Sequence, residues 1–366
     1  MDPIRVMVVD DSPFMRKALE RMLTCDDIQV AGSARDGLEA LERIAQVNPD
    51  IVTLDVEMPR MDGLSCLKRI MAEHPRPVLM VSSLTQEGAS ATLEALAGGA
   101  LDFISKETSL ASASILQIQQ ELQEKVRKLA RSPKFARQRP APAATAPAAA
   151  GQAAIPFLRA APVAPRPGPG VLAANPRAEL LLIGTSTGGP KALQDLLPAI
   201  PAGLPVPCLV VQHMPGTFTK PFAERLNALS KVTIKEAQDG EPLRAGTVYI
   251  APGGIHMKYR QRGGSASIEL DPEPATSLHR PSVDVLFLSA AEQCARPMLA
   301  MILTGMGNDG ARGMEVLKAK GAHTLSEAEE SCVVYGMPRA AFERGCVDQV
   351  APLQDMAGIL RKHFGI

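Results

Sequence analysis

No CxxC pair occurs among the six cysteines of this 366-residue chain, at positions 25, 66, 208, 294, 332 and 346. That argues against a structural zinc site and a disulfide framework. It leaves small, mostly apolar side chains in a reducing compartment. No apolar run approaches the ~20 residues that a membrane-spanning helix needs. The opening Met1-Asp2-Pro3-Ile4-Arg5 leads straight into a strand pattern, without the charged and apolar regions of a signal peptide. A cytoplasmic protein, not inserted in a membrane, is the expectation. The formal net charge is +0, and neither half carries the basic excess of a nucleic-acid binder.

Acidic residues are missing altogether from 131–177, where ten prolines and fifteen alanines fall in 47 positions. Such a stretch has little large apolar surface to bury, and its prolines block helix and sheet alike. It reads as a linker of roughly 35–40 Å as a flexible coil, or up to ~145 Å as polyproline II. Domains are expected at 1–130 and 178–366. In the first, apolar β-branched runs at 5–9, 29–34, 51–55, 78–82 and 102–105 alternate with helical patterns. Five strands alternating with five helices predict a doubly wound parallel sheet. In the second, strands are expected at 180–183, 208–212, 232–235, 247–251, 255–259, 266–270, 298–304 and 322–325. Helices are expected at 190–197, 218–229, 282–294, 310–320 and 335–344.

Function in open parallel sheets collects at the carboxyl ends of the strands. Asp10 and Asp11 end the first strand, Asp55 the third and Ser82 the fourth, and Lys106 follows the fifth. Three carboxylates brought together there repel one another unless a cation lies between them, and hard oxygen ligands suit Mg²⁺. A phosphoryl group on one of them would be neutralised by that metal and by Lys106. Each aspartate alone is ordinary loop chemistry; the joint placement carries the expectation.

The second half places Gly184-Thr185-Ser186-Thr187-Gly188-Gly189-Pro190 after an apolar run. Small residues flank a serine at a strand-to-helix turn, as in a nucleophile elbow. The free N–H groups of a helix N-terminus suit an oxyanion. A phosphate cradle competes with this. Gly184-x4-Gly189-Pro190-Lys191 nearly matches a Walker loop, but Pro190 intrudes and Ala192 replaces the metal-binding hydroxyl. Of six histidines, His213 directly follows an apolar strand and so reaches the same sheet edge. Asp309, in the glycine-rich loop Thr304–Gly310, is favoured as the orienting acid over Asp284, which lies in a helical pattern. Ser186, His213 and Asp309 would form a triad, with backbone N–H groups of Thr187 and Met306 stabilising the oxyanion.

Residues 3–125 resemble a response-regulator receiver domain through Val8-Val9-Asp10-Asp11-Ser12, Leu54-Asp55-Val56-Glu57-Met58-Pro59, Met61-Asp62-Gly63 and Phe103-Ile104-Ser105-Lys106. The resemblance implies a flavodoxin-like five-stranded sheet, Asp55 as phospho-acceptor, and Asp10 and Asp11 as Mg²⁺ ligands. It implies Ser82 as the hydroxyl that turns toward the phosphate and Phe103, often Tyr in that family, as the aromatic that repacks.

Residues 178–360 resemble the catalytic domain of chemotaxis protein-glutamate methylesterases. The matching stretches are the Ser186 turn, Gln212-His213-Met214-Pro215, Ala251–Met257, His279-Arg280-Pro281-Ser282-Val283-Asp284, Thr304–Gly310 and Tyr335-Gly336-Met337-Pro338. Thr185 stands where that family often has Ala. This implies a doubly wound α/β domain hydrolysing glutamate γ-methyl esters, and in some members glutamine amides, without a cofactor for the esterase step. The implied partners are methylated chemoreceptors as substrate and a chemotaxis histidine kinase as phospho-donor. The receiver is expected to cover the hydrolase crevice until phosphorylated. A receiver-controlled nucleotide-binding effector, or a non-catalytic interaction module, remains the alternative.

Overall fold

The computed structural model describes residues 2–83, 85–106, 112–132, 135 and 178–366. Apart from Arg131, Ser132 and Phe135, the Pro/Ala-rich segment lies outside the described residues.

The N-terminal half is an all-parallel sheet of β1 (Ile4–Val9), β2 (Ile28–Ala34), β3 (Ile51–Asp55), β4 (Val78–Ser82) and β5 (Asp102–Ser105), in the order β2-β1-β3-β4-β5. Every residue of β3 and β4 is buried, as strands covered by helices on both faces require. The helices are α1 (Pro13–Leu23), α2 (Gly37–Val47), α3 (Gly63–Glu73), α4 (Gln86–Ala97) and α5 (Ser112–Leu129). Ser12 caps α1 by accepting from Met15 N, with Pro13 in the first turn. The sequence pattern predicts a last helix over about 110–130, of which residues 110 and 111 lie outside the described residues.

The C-terminal half holds a seven-stranded parallel sheet: β6 (Leu180–Thr185), β7 (Cys208–Gln212), β8 (Thr233–Glu236), β9 (Thr247–Ile250), β12 (Met298–Ile302), β13 (His323–Glu327) and β14 (Gln349–Ala351). Its order is β14-β13-β12-β6-β7-β9-β8. The expected strands near 255 and 266 exist, but as a separate antiparallel hairpin of β10 (His256–Arg262) and β11 (Ser265–Asp271). The helices are α6 (Gly189–Leu196), α7 (Gly216–Leu229), α8 (Val283–Gln293), α9 (Ala311–Ala319), α10 (Met337–Glu343) and α11 (Leu353–Phe364). β14 and α11 extend the fold beyond the elements expected from sequence. α11 buries Met356, Ala357, Leu360 and Phe364, a helical stripe that joins the core and packs on α6.

The chain runs from β6 outward through β7, then returns to lay β12 on the other side of β6. That reversal is a topological switch point, where the loops after β6 and β12 separate and leave a crevice. The N-terminal half sits against this one: α4 packs on α6 and α7. Among the described residues no helix is long and apolar enough to cross a membrane.

Candidate active site

Ser186 follows β6, His213 follows β7 and Asp309 follows β12, so three adjacent strands deliver their loops to one edge. His213 Nδ1 lies 3.1 Å from Ser186 Oγ, and His213 Nε2 lies 2.7 Å from Asp309 Oδ2. Nδ1 thus faces the serine and Nε2 the acid. With the proton on Nε2, the Nδ1 lone pair is free to accept from the hydroxyl. Asp309 also accepts from Ser282 Oγ at 2.9 Å, Val283 N at 2.7 Å and Asp284 N at 2.9 Å. Burial alone would raise its pKa. The His213 bond and charge and these backbone donors outweigh burial and hold the carboxyl well below its usual range. Asp284, the rejected rival, accepts from Gly313 N and ties α8 to α9.

Thr304 anchors the turn at Ser186. Its carbonyl accepts from Ser186 N at 3.1 Å and Thr185 Oγ1 at 2.9 Å, and its hydroxyl donates to Thr187 O at 2.9 Å. Its own N–H donates to the buried Glu327 at 2.8 Å. Burial pushes the Glu327 carboxyl up to about 7. Gly188, at φ +80°, turns the chain into α6 in a conformation that side chains resist. Ser186 N and Gly189 N are already bonded, to Thr304 O and Ser186 O. A phosphate cradle would lack those donors. Among the described residues neither Thr187 N nor Met306 N donates to a protein acceptor. Both remain available to an oxyanion.

In the N-terminal half, one oxygen from each of Asp10, Asp11 and Asp55 lies within 4.8 Å of the others. Lys106 Nζ stands 3.0 Å from Asp10 Oδ2 and 2.6 Å from Asp55 Oδ2. Burial pushes the Asp55 carboxyl up to about 6, against the pull of Lys106, with the Asp10 charge adding to the rise. Asp10 and Asp55 are buried and Asp11 is exposed, and hard oxygens with this little donor support fit a divalent cation such as Mg²⁺. Ser82 is fully buried and turned to α4, its Oγ 2.6 Å from Thr92 Oγ1. Phe103 stacks on Phe218 of α7, ring centroids 4.5 Å apart. A second contact joins the halves beside Ser186: Thr187 Oγ1 donates to Asp102 Oδ2 at 2.9 Å. Lys125 of α5 pairs with the same oxygen and donates to Phe103 O.

The CheB methylesterase family model matches residues 181–360, and the response regulator receiver domain model matches 6–115. A protein-glutamate methylesterase/protein-glutamine glutaminase of Oleidesulfovibrio alaskensis is 49% identical over 359 residues, covering 97% of each chain. One of Geobacillus kaustophilus is 44% identical over 369 residues, covering 100% of each. The chain belongs to this methylesterase/glutaminase family. It carries the family's receiver and hydrolase modules in the same order. A crystallised CheB methylesterase catalytic domain of Thermotoga maritima is 41% identical, with a TM-score of 0.49, over 50% of this chain and 98% of that one. As a member of the family, the chain is a two-component response regulator with a hydrolase as its output domain.

Several supporting residues escaped the sequence reading. Ser282, Val283 and Asp284 lie in a quoted motif, but their service to Asp309 is a contact between loops 25 to 27 residues apart. Thr304 was quoted only as the start of its loop. Asp102, Thr92 and Phe218 carry no local signal at all.

Proposed function

We propose that the chain demethylates glutamate γ-methyl esters on the cytoplasmic helices of chemoreceptors, with Ser186 as nucleophile, His213 as base and Asp309 as its orienting acid. The carrying observation is the unbroken hydrogen-bond run from Ser186 Oγ through both ring nitrogens of His213 to Asp309. Ser186 Oγ attacks the ester carbonyl carbon, and its proton passes to His213 Nδ1. The tetrahedral oxyanion receives the N–H groups of Thr187 and Met306, each worth a few kcal/mol. The bond to methoxide then breaks and His213 returns the proton, releasing methanol. Water repeats the sequence on the acyl-enzyme and frees glutamate. The same steps on a glutamine side chain release ammonia, more slowly because an amide is less reactive.

Asp55 receives a phosphoryl group from a chemotaxis histidine kinase. Asp10, Asp11 and Asp55 would hold Mg²⁺, which would supply charge neutralisation for that group. Lys106 is placed to take the remaining negative charge. Ser82 and Phe103 would turn with it, and Phe103 is the ring stacked on the hydrolase. Release of that stack and of the Asp102–Thr187 bond opens the crevice to bulky receptor helices.

The test is methanol release from methylated receptor membranes, with and without acetyl phosphate plus Mg²⁺. Release should vanish in Ser186→Ala, and its phosphate-dependent rise should vanish in Asp55→Asn. Wild-type release by Ser186→Ala would overturn the triad assignment. A truncated chain lacking 1–130 that is no faster than the unphosphorylated whole would overturn the covering role.

A further inference from the structure

His279 belongs to no part of the triad, yet its ring lies on the ring of His213, centroids 4.1 Å apart and planes inclined by 23°. The segment that carries it also supplies the three donors to Asp309. Residues 279–284 therefore press on the base and clamp the acid together. The segment is itself anchored. Gly254 N donates to Arg280 O at 3.0 Å, and Ser282 N donates to Nδ1 of the fully buried His256 at 3.2 Å.

Two hydrogen bonds, one at each ring nitrogen, hold an imidazole at two points. They and the Cβ tether fix the ring's place but leave its plane free to tilt within the angular tolerance of the hydrogen bonds. A flat neighbour at stacking distance removes that freedom. The neighbour must also be uncharged, because His213 becomes an imidazolium each time it takes the serine proton. Burial first, and then the charge of His213, pulls the His279 pKa down to about 4. The other charged groups bearing on it are Asp309, and Glu124 and Lys125 of α5.

We propose that His279 is a positioning residue of the hydrolase: its neutral ring, stacked on His213, holds the imidazole in the plane that presents Nδ1 to Ser186. This rests on the triad assignment, and the test separates the two. Phenylmethylsulfonyl fluoride needs the Ser186–His213 pair but no receptor. Ser186 Oγ bonds to sulfur, fluoride leaves, and the hydroxyl proton departs through His213. In the full-length protein, His279→Ala should slow this labelling roughly 10- to 100-fold, the scale of a small misplacement of a reacting group. His279→Phe keeps a flat uncharged ring and should restore the rate to within a few-fold. With methylated receptor membranes, kcat should fall in His279→Ala while KM stays. If His279→Ala does not fold, His279→Asn makes the same comparison. Wild-type labelling by a folded His279→Ala, or a folded His279→Phe as slow as the alanine variant, overturns the proposal. So does a rise in KM at constant kcat. A wild type that is never labelled at Ser186 overturns the triad and His279's role with it. Labelling without methanol release overturns only the receptor-ester substrate.

Discussion

Asp55 and Asp309 both stand at the carboxyl edge of a parallel sheet, and both are largely buried. Their proton affinities nevertheless move in opposite directions. Asp55 is pushed up to about 6, while Asp309 is held well below the ordinary carboxylate range. Burial raises both, so the donors decide. Asp309 has a hydroxyl, two backbone N–H groups and an imidazole, whereas Asp55 has Glu57 N at 3.3 Å and the shared ammonium of Lys106. One acid has its carboxylate satisfied by donors of the protein. The other is left short of partners, a state that suits a site completed by a cation and a phosphoryl group from solution.

The largest test of this contrast is Asp309→Asn. An amide can no longer hold the His213 tautomer, and methanol release should drop roughly 10³- to 10⁴-fold. A drop below tenfold would mean that the donor-rich acid is ornamental.

Stability should divide the two acids next. Asp55 binds its proton more tightly folded than unfolded. Its ionisation therefore costs stability as pH rises from about 4 to about 6, and the cost is complete above that. Asp55→Asn should stabilise the Mg²⁺-free protein at pH 7.5 by about 1–2 kcal/mol, and by little at pH 4. Asp309 has the opposite sign. Its contribution is present above the unfolded value of about 4 and fades as pH falls through its lower folded value. Asp309→Asn should thus destabilise at pH 7.5. Denaturant melts at both pH values check the pair, and equal shifts of one sign in the two variants would break the comparison.

A third variant asks whether the two sites are coupled through the aromatic contact. Phe218→Leu keeps an apolar core residue but loses the stack on Phe103, worth about 0.5–1.5 kcal/mol. Unphosphorylated methanol release should rise about 2- to 10-fold, and an unchanged rate would place the coupling elsewhere. The smallest effect is expected from Mg²⁺ alone. It should raise the melting temperature of the wild type by a few degrees and leave that of Asp55→Asn nearly unmoved, by calorimetry.

Much of this architecture is legible in the residues, because parallel α/β folds write each strand as an apolar run and each turn as glycine, proline or a capping hydroxyl. Ser186, His213 and Asp309 each follow such a run, and their meeting follows from the strand order. The hairpin of β10 and β11 shows the limit. Its strands are visible, but their detachment from the main sheet depends on pairing partners, not on local pattern. β14 is three residues long, with only Ala351 fully buried, too little for a periodic signal. The stripe of α11, Met356, Ala357, Leu360 and Phe364, has helical spacing in the sequence itself. The Thr187–Asp102 and Phe103–Phe218 contacts lie between residues 85 and 115 positions apart, where only the folded chain can show them. His279 sits in a loop of polar sequence, and its stacking partner lies 66 positions away.

Asp309 also does something for α8 that no residue of that helix can do for itself. Its carboxylate gathers the first N–H groups of α8, at Val283 and Asp284, together with the hydroxyl of the capping Ser282. A side chain from the next loop is thus the stopper on the positive end of a helix. Ser282 and Val283 are themselves buried, so the acid and the helix start are locked to one another. Removing the Asp309 carboxylate therefore loosens the start of α8 as well as the hold on His213, and one substitution reaches both stability and catalysis.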